Sequence, residues 1–360
     1  MSEGLLNVPH YVVEINDVTF DSWRHPGLLT LVSAEMARDK TGGANISMCD
    51  PAFKYTDMFL DTTGLKRARV RVWLGYGEQV AQGQPLFEGL LSCHRHDGQV
   101  ATFSFDDPTS KMKQKKRPRY HNRTTALKLL KKLAEENGLS LVVKGEVPDS
   151  EEYDVIIQWN QTDWQLAMET ARDLGLRLYA RGQTLYAQEA GKAGDKAVAE
   201  LVYKGTDGDF RMLRGLGLSH KLPEHKRGRH GRVEVRTRGR AGRRVSGVDT
   251  EGGARGTEEV QAIDDLPSSS ERAARRRARA RRNRHREQAF EHSIILMPGF
   301  LRRGLPILQG HTVKLMQVGL FYSGLYVVDA VSYQGRPNGL TAELSLNRDI
   351  KGVKRGKVIR

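Results

Sequence analysis

Two stretches in the middle of the chain repeat one pattern, in which a helical run ends in Gly-Leu and passes directly into a strand-like run. Residues 127–137 lead into Gly138-Leu139-Ser140-Leu141-Val142-Val143, and residues 164–174 into Gly175-Leu176-Arg177-Leu178-Tyr179-Ala180. Glycine there supplies left-handed backbone, which stops a helix without steric cost. On both sides of this echo the sequence alternates apolar and polar residues, the period of a half-buried strand. The pattern predicts a small α/β insert inside a mainly β protein, α+β in class.

The first 107 residues read as a closed or nearly closed antiparallel sheet. Residues 10–20 are rich in β-branched and aromatic side chains, with Asn16-Asp17 as a turn. Strands are expected over 28–35 and 45–48, around a Gly42-Gly43 turn. Ala68, Val70, Val72 and Leu74 fall on one face of the next strand, and Arg67, Arg69, Arg71 and Trp73 on the other. Residues 86–96 and 99–106 pair around His96-Asp97-Gly98. Residues 111–119 read as a basic linker.

In the insert, Thr124 or Thr125 caps a helix whose stripe is Leu127, Leu130, Leu133 and Ala134. Thr162 or Asp163 caps the second, with Trp164, Ala167, Met168 and Ala171 buried. A hairpin over Arg181-Gly182-Gln183 closes the segment. After a linker at 189–197, strands return at 198–203 and 209–220, and four more are expected at 293–297, 311–318, 325–333 and 340–347. Between them, residues 221–256 are Gly- and Arg-rich, enough for an extended hairpin but little core. Ser268-Ser269-Ser270 precedes a run without Gly or Pro, which predicts a helix over 272–292.

A net charge of +15 points to an anionic partner, and much of the excess lies in residues 221–286. Nine arginines fall between Arg272 and Arg286. On a helix, Arg272, Arg275, Arg276, Arg279, Arg282 and Arg286 share one side and are the candidate partner contacts. They suit phosphates by charge, but the run lacks aromatic residues for base stacking, which favours a solvated face or an acidic protein partner.

Little else carries chemistry. His94 and His96 share one strand face while Cys93 and Arg95 take the other, and no second cluster at zinc spacing completes a metal set. Gly75-Tyr76-Gly77 and Gly205-Thr206-Asp207-Gly208 read as turns and not phosphate loops. No nucleophile elbow or zinc-protease motif occurs, and acid pairs such as Glu135-Glu136, Glu151-Glu152 and Asp264-Asp265 are adjacent in solvated contexts. No catalytic, cofactor or metal site is expected, so the chain is read as a non-enzyme. Cys49 and Cys93 are the only cysteines, which suits synthesis in a reducing cytoplasm. No stretch reaches the ~18 apolar residues of a membrane span, and residues 1–6 lack the features of a signal peptide.

The order of these segments resembles the phage late control protein D family, baseplate hubs of contractile phage tails and related injection systems. The likeness rests on Gly75-Tyr76-Gly77 with Leu86-Phe87-Glu88-Gly89, and on Asp107-Pro108 before the basic residues 111–119. It continues through Thr124-Thr125-Ala126-Leu127, residues 158–164, Gly182-Gln183-Thr184-Leu185, Pro298-Gly299, Leu308-Gln309-Gly310 and residues 324–333. It implies a tube-like β barrel over 1–110, the insert over 111–190, and a second barrel over 191–360 that includes the basic hairpin and helix region 221–290. It further implies a homotrimer, forming a pseudo-sixfold ring that joins the tail tube to a threefold central spike. Tape measure and baseplate wedge proteins would be further partners, with nucleic acid only as passing cargo, no cofactor, and a place in the virion tail baseplate after synthesis in the host bacterial cytoplasm. Because the sequence ends at Arg360, the spike and any hydrolase are expected to be separate proteins. The competing readings are a basic nucleic-acid-binding protein and a tail-associated cell-wall hydrolase.

Overall fold

The computed structural model describes residues 8–60, 67–77, 80, 83–145, 147, 152–190, 196–203, 213–220, 232–238, 244–250, 261–264, 280, 290–296 and 306–348. Strands β1 (Pro9–Ile15) and β2 (Val18–Asp21) form a hairpin over Asn16 and Asp17, whose φ of 48° and 67° are the two left-handed positions of a tight hairpin turn. Then come β3 (Leu29–Ala37), β4 (Gly43–Cys49), a short helix α1 (Lys54–Phe59), β5 (Arg69–Tyr76), β6 (Phe87–His96) and β7 (Val100–Asp106). Val70 and Val72 of β5 are buried, as is Ala68 just before it, while Arg69 and Arg71 are exposed, as the alternation predicts.

Past a 3₁₀ turn at Pro108–Lys113, the insert runs β8 (Lys116–Thr125), α2 (Ala126–Glu136), β9 (Ser140–Lys144), β10 (Glu152–Thr162), α3 (Asp163–Leu174), β11 (Leu176–Arg181) and β12 (Thr184–Glu189). The echo in sequence is thus an echo in structure, two strand–helix–strand units in succession. Each helix begins on a threonine that ends the preceding strand. Thr125 accepts from Lys128 N–H, and Thr162 forms a full capping box with Gln165. At the end of α2, Gly138 (φ 75°) and Leu139 donate back to the Glu135 and Ala134 carbonyls, a Schellman closure. The two Gly-Leu strands flank one partner: β12 pairs antiparallel with β11 and parallel with β9.

The residues read as a basic linker, 111–119, are instead the 3₁₀ turn and the first half of β8, which pairs with β10. On α2, Leu129 and Ala126 are buried and Leu127 lies at the margin, so the stripe is rotated from the predicted one; the helix packs on α3 and β9 rather than on one wall.

The remaining strands are β13 (Ala199–Val202), β14 (Leu213–His220), β15 (Arg232–Arg238), β16 (Arg244–Thr250), β17 (Gln261–Asp264), β18 (Phe290–Leu296), β19 (Thr312–Met316), a turn of helix α4 (Gly319–Tyr322), β20 (Gly324–Arg336) and β21 (Gly339–Arg348). The Arg-rich hairpin is present as β15 and β16, with β17 parallel beside β15. β18 starts at Phe290, inside the predicted helix. His292, Ile294 and Leu296 alternate into the core, and pairing to β21 overrides the local helical preference.

The β stretches before and after the insert are hydrogen-bonded into one thirteen-stranded sheet in the order β14-β18-β21-β20-β3-β4-β7-β6-β5-β1-β2, with β13 and β19 attached beside β20. They share one core, where Ile15, Val72, Phe103 and Phe105 meet Leu315, Val328, Tyr333 and Leu344. The insert has a separate core of Leu130, Leu133, Trp164, Ala167, Leu178 and Leu185. The fold is mainly β with a small α/β insert, as the sequence indicates.

Candidate assembly interface

The insert is fixed to the β body at the point where the two β stretches join. β20 pairs with β19 over its first residues and with β3 over its last, and a bulge between Val328 and Ala330 marks the change of partner. Asp329 sits in that bulge. Its carboxylate accepts from Arg38 Nε at 2.9 Å, and its carbonyl accepts from the Arg38 N–H at 2.8 Å. The next residue, Asp39, has a left-handed φ of 61° that turns its carboxylate toward the insert. There it meets Arg177 at 2.5 Å and accepts from Leu178 N–H at 2.9 Å, and Asp39 N–H donates to the Leu178 carbonyl at 2.6 Å. Adjacent residues of one turn therefore hold β20 and β11 together, with both charges of the Asp39–Arg177 pair largely buried.

A second contact lies alongside. The insert sheet turns Leu178, Leu185 and Ala187 toward its helices and Arg177, Tyr179, Arg181, Tyr186 and Gln188 toward the body, as a period of two requires. Arg181 donates to the Gln309 carbonyl, and Gln309 Nε2 donates to the Ala180 carbonyl at 2.8 Å. Gly310 (φ 73°) passes directly beneath Tyr179: a Cβ there would lie 2.5 Å from Tyr179 Cζ. Burial holds the Lys144 and Arg181 cations below their ordinary pKa values, with Arg181 lowering Lys144 further and Tyr179 and Tyr186 partly opposing the shift of Arg181. Between them His311 is lowered to about 3, first by burial and then by Arg181 and Lys144. It is a neutral imidazole whose Nδ1 accepts from Leu308 N–H at 3.1 Å. Beside the junction opens a polar cleft of about 520 Å³, lined by residues that include Glu35, Lys40, Asp106, Lys113 and Ser332.

His94 and His96 do lie on one side of β6, with ring centroids 6.3 Å apart, but each is occupied structurally. His96 Nε2 bonds the Asp50 carbonyl at 2.9 Å and its ring stacks on Phe53, while His94 packs on Phe103. Burial, reinforced by His96 and opposed by Asp50, lowers the His94 pKa. Among the described residues no group of three or more potential ligands is arranged for a metal ion. Glu135 and Glu136 pair with Lys131 and Lys132 along α2. No described helix is long and apolar enough to cross a membrane.

The candidate contacts Arg272, Arg275, Arg276, Arg279, Arg282 and Arg286 lie outside the described residues. Within that run Ala280 is described: it is helical, buried, and set against the end of α3, where a Cβ on Gly175 would lie 3.0 Å from its own Cβ. Sequence reading missed the surface that the β8–β10 pair presents, although Val155, Ile157 and Trp159 alternate at period two and signal a strand.

No family model matches the chain, and no curated protein matches it. Solved structures do, along nearly all of its length. The tail protein from Neisseria meningitidis MC58 superposes with a TM-score of 0.70 at 16% identity, covering 94% of this chain and 97% of that one. The prophage MuSo2 43 kDa tail protein from Shewanella oneidensis gives 0.62 at 13% identity, with 94% and 98% covered. The E. coli c3393 protein, a component of the type VI secretion system with structural similarity to the T4 bacteriophage tail proteins gp27 and gp5, gives 0.58 at 8% identity, with 93% and 76% covered. This chain has the fold of those tail and secretion-system proteins.

Proposed function

We propose that the chain is a structural baseplate hub of a phage tail or contractile injection machine, of the late control protein D kind. The observation that carries this reading is the end-to-end likeness to tail proteins, whose lengths are matched at 97% and 98%. The architecture supports it: two β stretches on either side of an α/β insert, tied by β20 and the Arg38–Asp39 turn into one body. In this reading each stretch forms one tube-like barrel, over residues 1–110 and 191–360. Three chains supply six such units to a pseudo-sixfold ring, which receives the tail tube on one side and a threefold spike on the other. Tape measure and wedge proteins meet its periphery, and the particle's nucleic acid only passes through. The protein works by shape and contact, without catalysis or cofactor, in the virion tail baseplate.

Co-expression with the tube and spike proteins of the same particle tests this. A complex retaining both through gel filtration is expected, with no clearing on a cell-wall zymogram. Failure to retain either, or hydrolysis that follows the purified chain, would refute it.

A further inference from the structure

Among the described residues, β8 and β10 pair only with each other and join no other sheet. The inner face of this ribbon, with His121, Gln158 and Ile156, is turned to the insert core. Its outer face carries Val155, Ile157 and Trp159 on β10, exposed by 47, 54 and 71%, and Tyr120 on β8, exposed by 66%. Tyr120 stands directly opposite Ile157 in the register, so the four side chains make one stripe. Single exposed apolar residues are ordinary, but a contiguous aromatic and β-branched stripe on an isolated strand pair is a surface that proteins keep covered.

The charge around it says what covers it. Residues 108–134 hold ten Lys and Arg and no Asp or Glu. Arg119 is neutralised by Glu136 and Asp163, and the exposed acids of β10, Glu152 and Asp154, lie at the far end of the ribbon with Arg123 opposite Asp154 in the register, whereas Lys113, Lys115 and Lys116 are exposed on β8 or just before it, toward the Trp159 end. A second copy docking through the same face would set its own basic β8 row against this one. A single-stranded nucleic acid suits the charge, yet gains little from the aliphatic Val155 and Ile157, which offer no ring for base stacking.

We propose that the outer face of the β8–β10 ribbon is the docking surface for an acidic protein segment in extended conformation. Its alternate apolar side chains lie on Trp159, Ile157, Val155 and Tyr120, and its carboxylates meet the basic row of β8. This goes beyond the hub reading and does not depend on it.

The test titrates the full chain with a short blocked peptide alternating Glu with Val and Ile, against its Lys counterpart and a single-stranded oligothymidylate. Fluorescence anisotropy of the labelled probes gives affinity, and hydrogen exchange gives the place. The acidic peptide is expected to bind at least about tenfold more tightly than the Lys peptide and to protect residues 116–125 and 152–162. Trp159→Ser with Ile157→Thr, and separately Lys115→Glu with Lys116→Glu, should each weaken binding about tenfold while leaving the circular dichroism spectrum unchanged. Absence of acidic-peptide binding, binding indifferent to both pairs of substitutions, or protection elsewhere overturns the proposal, as does preference for the oligothymidylate.

Discussion

Tyr333 is buried in the core, and its hydroxyl both receives the Ile307 N–H at 2.9 Å and donates to the Ile307 carbonyl at 2.8 Å. That exchange pins the segment before the Gly310 turn, which in turn supports the insert. Burial raises the Tyr333 pKa, so the hydroxyl stays protonated. Tyr333→Phe keeps the ring and leaves both backbone groups without a partner, and should cost about 1–3 kcal/mol by denaturant titration. His311 adds a pH dependence. Its pKa is about 3 in the fold against 6.5 in the unfolded chain, so between those values the unfolded state binds the proton. The stability it contributes is whole above pH 6.5 and is lost progressively as pH falls toward 3. His311→Asn should flatten this acid limb, seen as a smaller drop in unfolding free energy between pH 7.5 and pH 5 than the parent shows.

At the scale of elements, the paired Gly-Leu helix ends offer an internal comparison. Gly138 and Gly175 share a left-handed φ of 75° and 74°, but a Cβ on Gly138 meets open space and one on Gly175 meets Ala280. Gly138→Ala should therefore cost about 1 kcal/mol from backbone strain alone, and Gly175→Ala measurably more, by thermal melting of both variants side by side. Equal losses would deny that Ala280 packs there. These helix ends, the threonine caps and the Asn16-Asp17 hairpin were legible in the sequence, since each depends on residues adjacent in the chain. β8 and β10 were not. Lys116 to Thr125 carries almost no apolar residue, because its inner face bonds through His121 and Arg119 rather than packing hydrocarbon. Val155, Ile157 and Trp159 of β10 point outward, against the usual sense of a strand pattern, and only Tyr153 and Ile156 turn to the insert core.

Across the whole molecule, the joining of the β stretches was out of reach of any local pattern. Asp329 and Arg38 are separated by 291 positions, and β20 gives no sign in sequence that it changes partner at Asp329. The same junction carries the Asp39–Arg177 pair. Asp39→Asn preserves size and tolerance of the left-handed φ but removes the charge, leaving the largely buried Arg177 guanidinium with Asp329 at 3.8 Å. A loss of about 3 kcal/mol is expected, with hydrogen exchange rising first in β11 and β12; a variant as stable as the parent would show that the junction does not hold the insert. The absence of a family match is no obstacle to the fold, since the pairing of β3 with β20 rests on backbone bonds and interchangeable apolar residues. In the proposed hub this body closes into a threefold ring with two further copies, and the mass of the purified full chain in solution decides whether it does. A salt-stable particle of three times the 40.4 kDa chain that takes up the spike protein is predicted; a monomer that retards duplex DNA would contradict it.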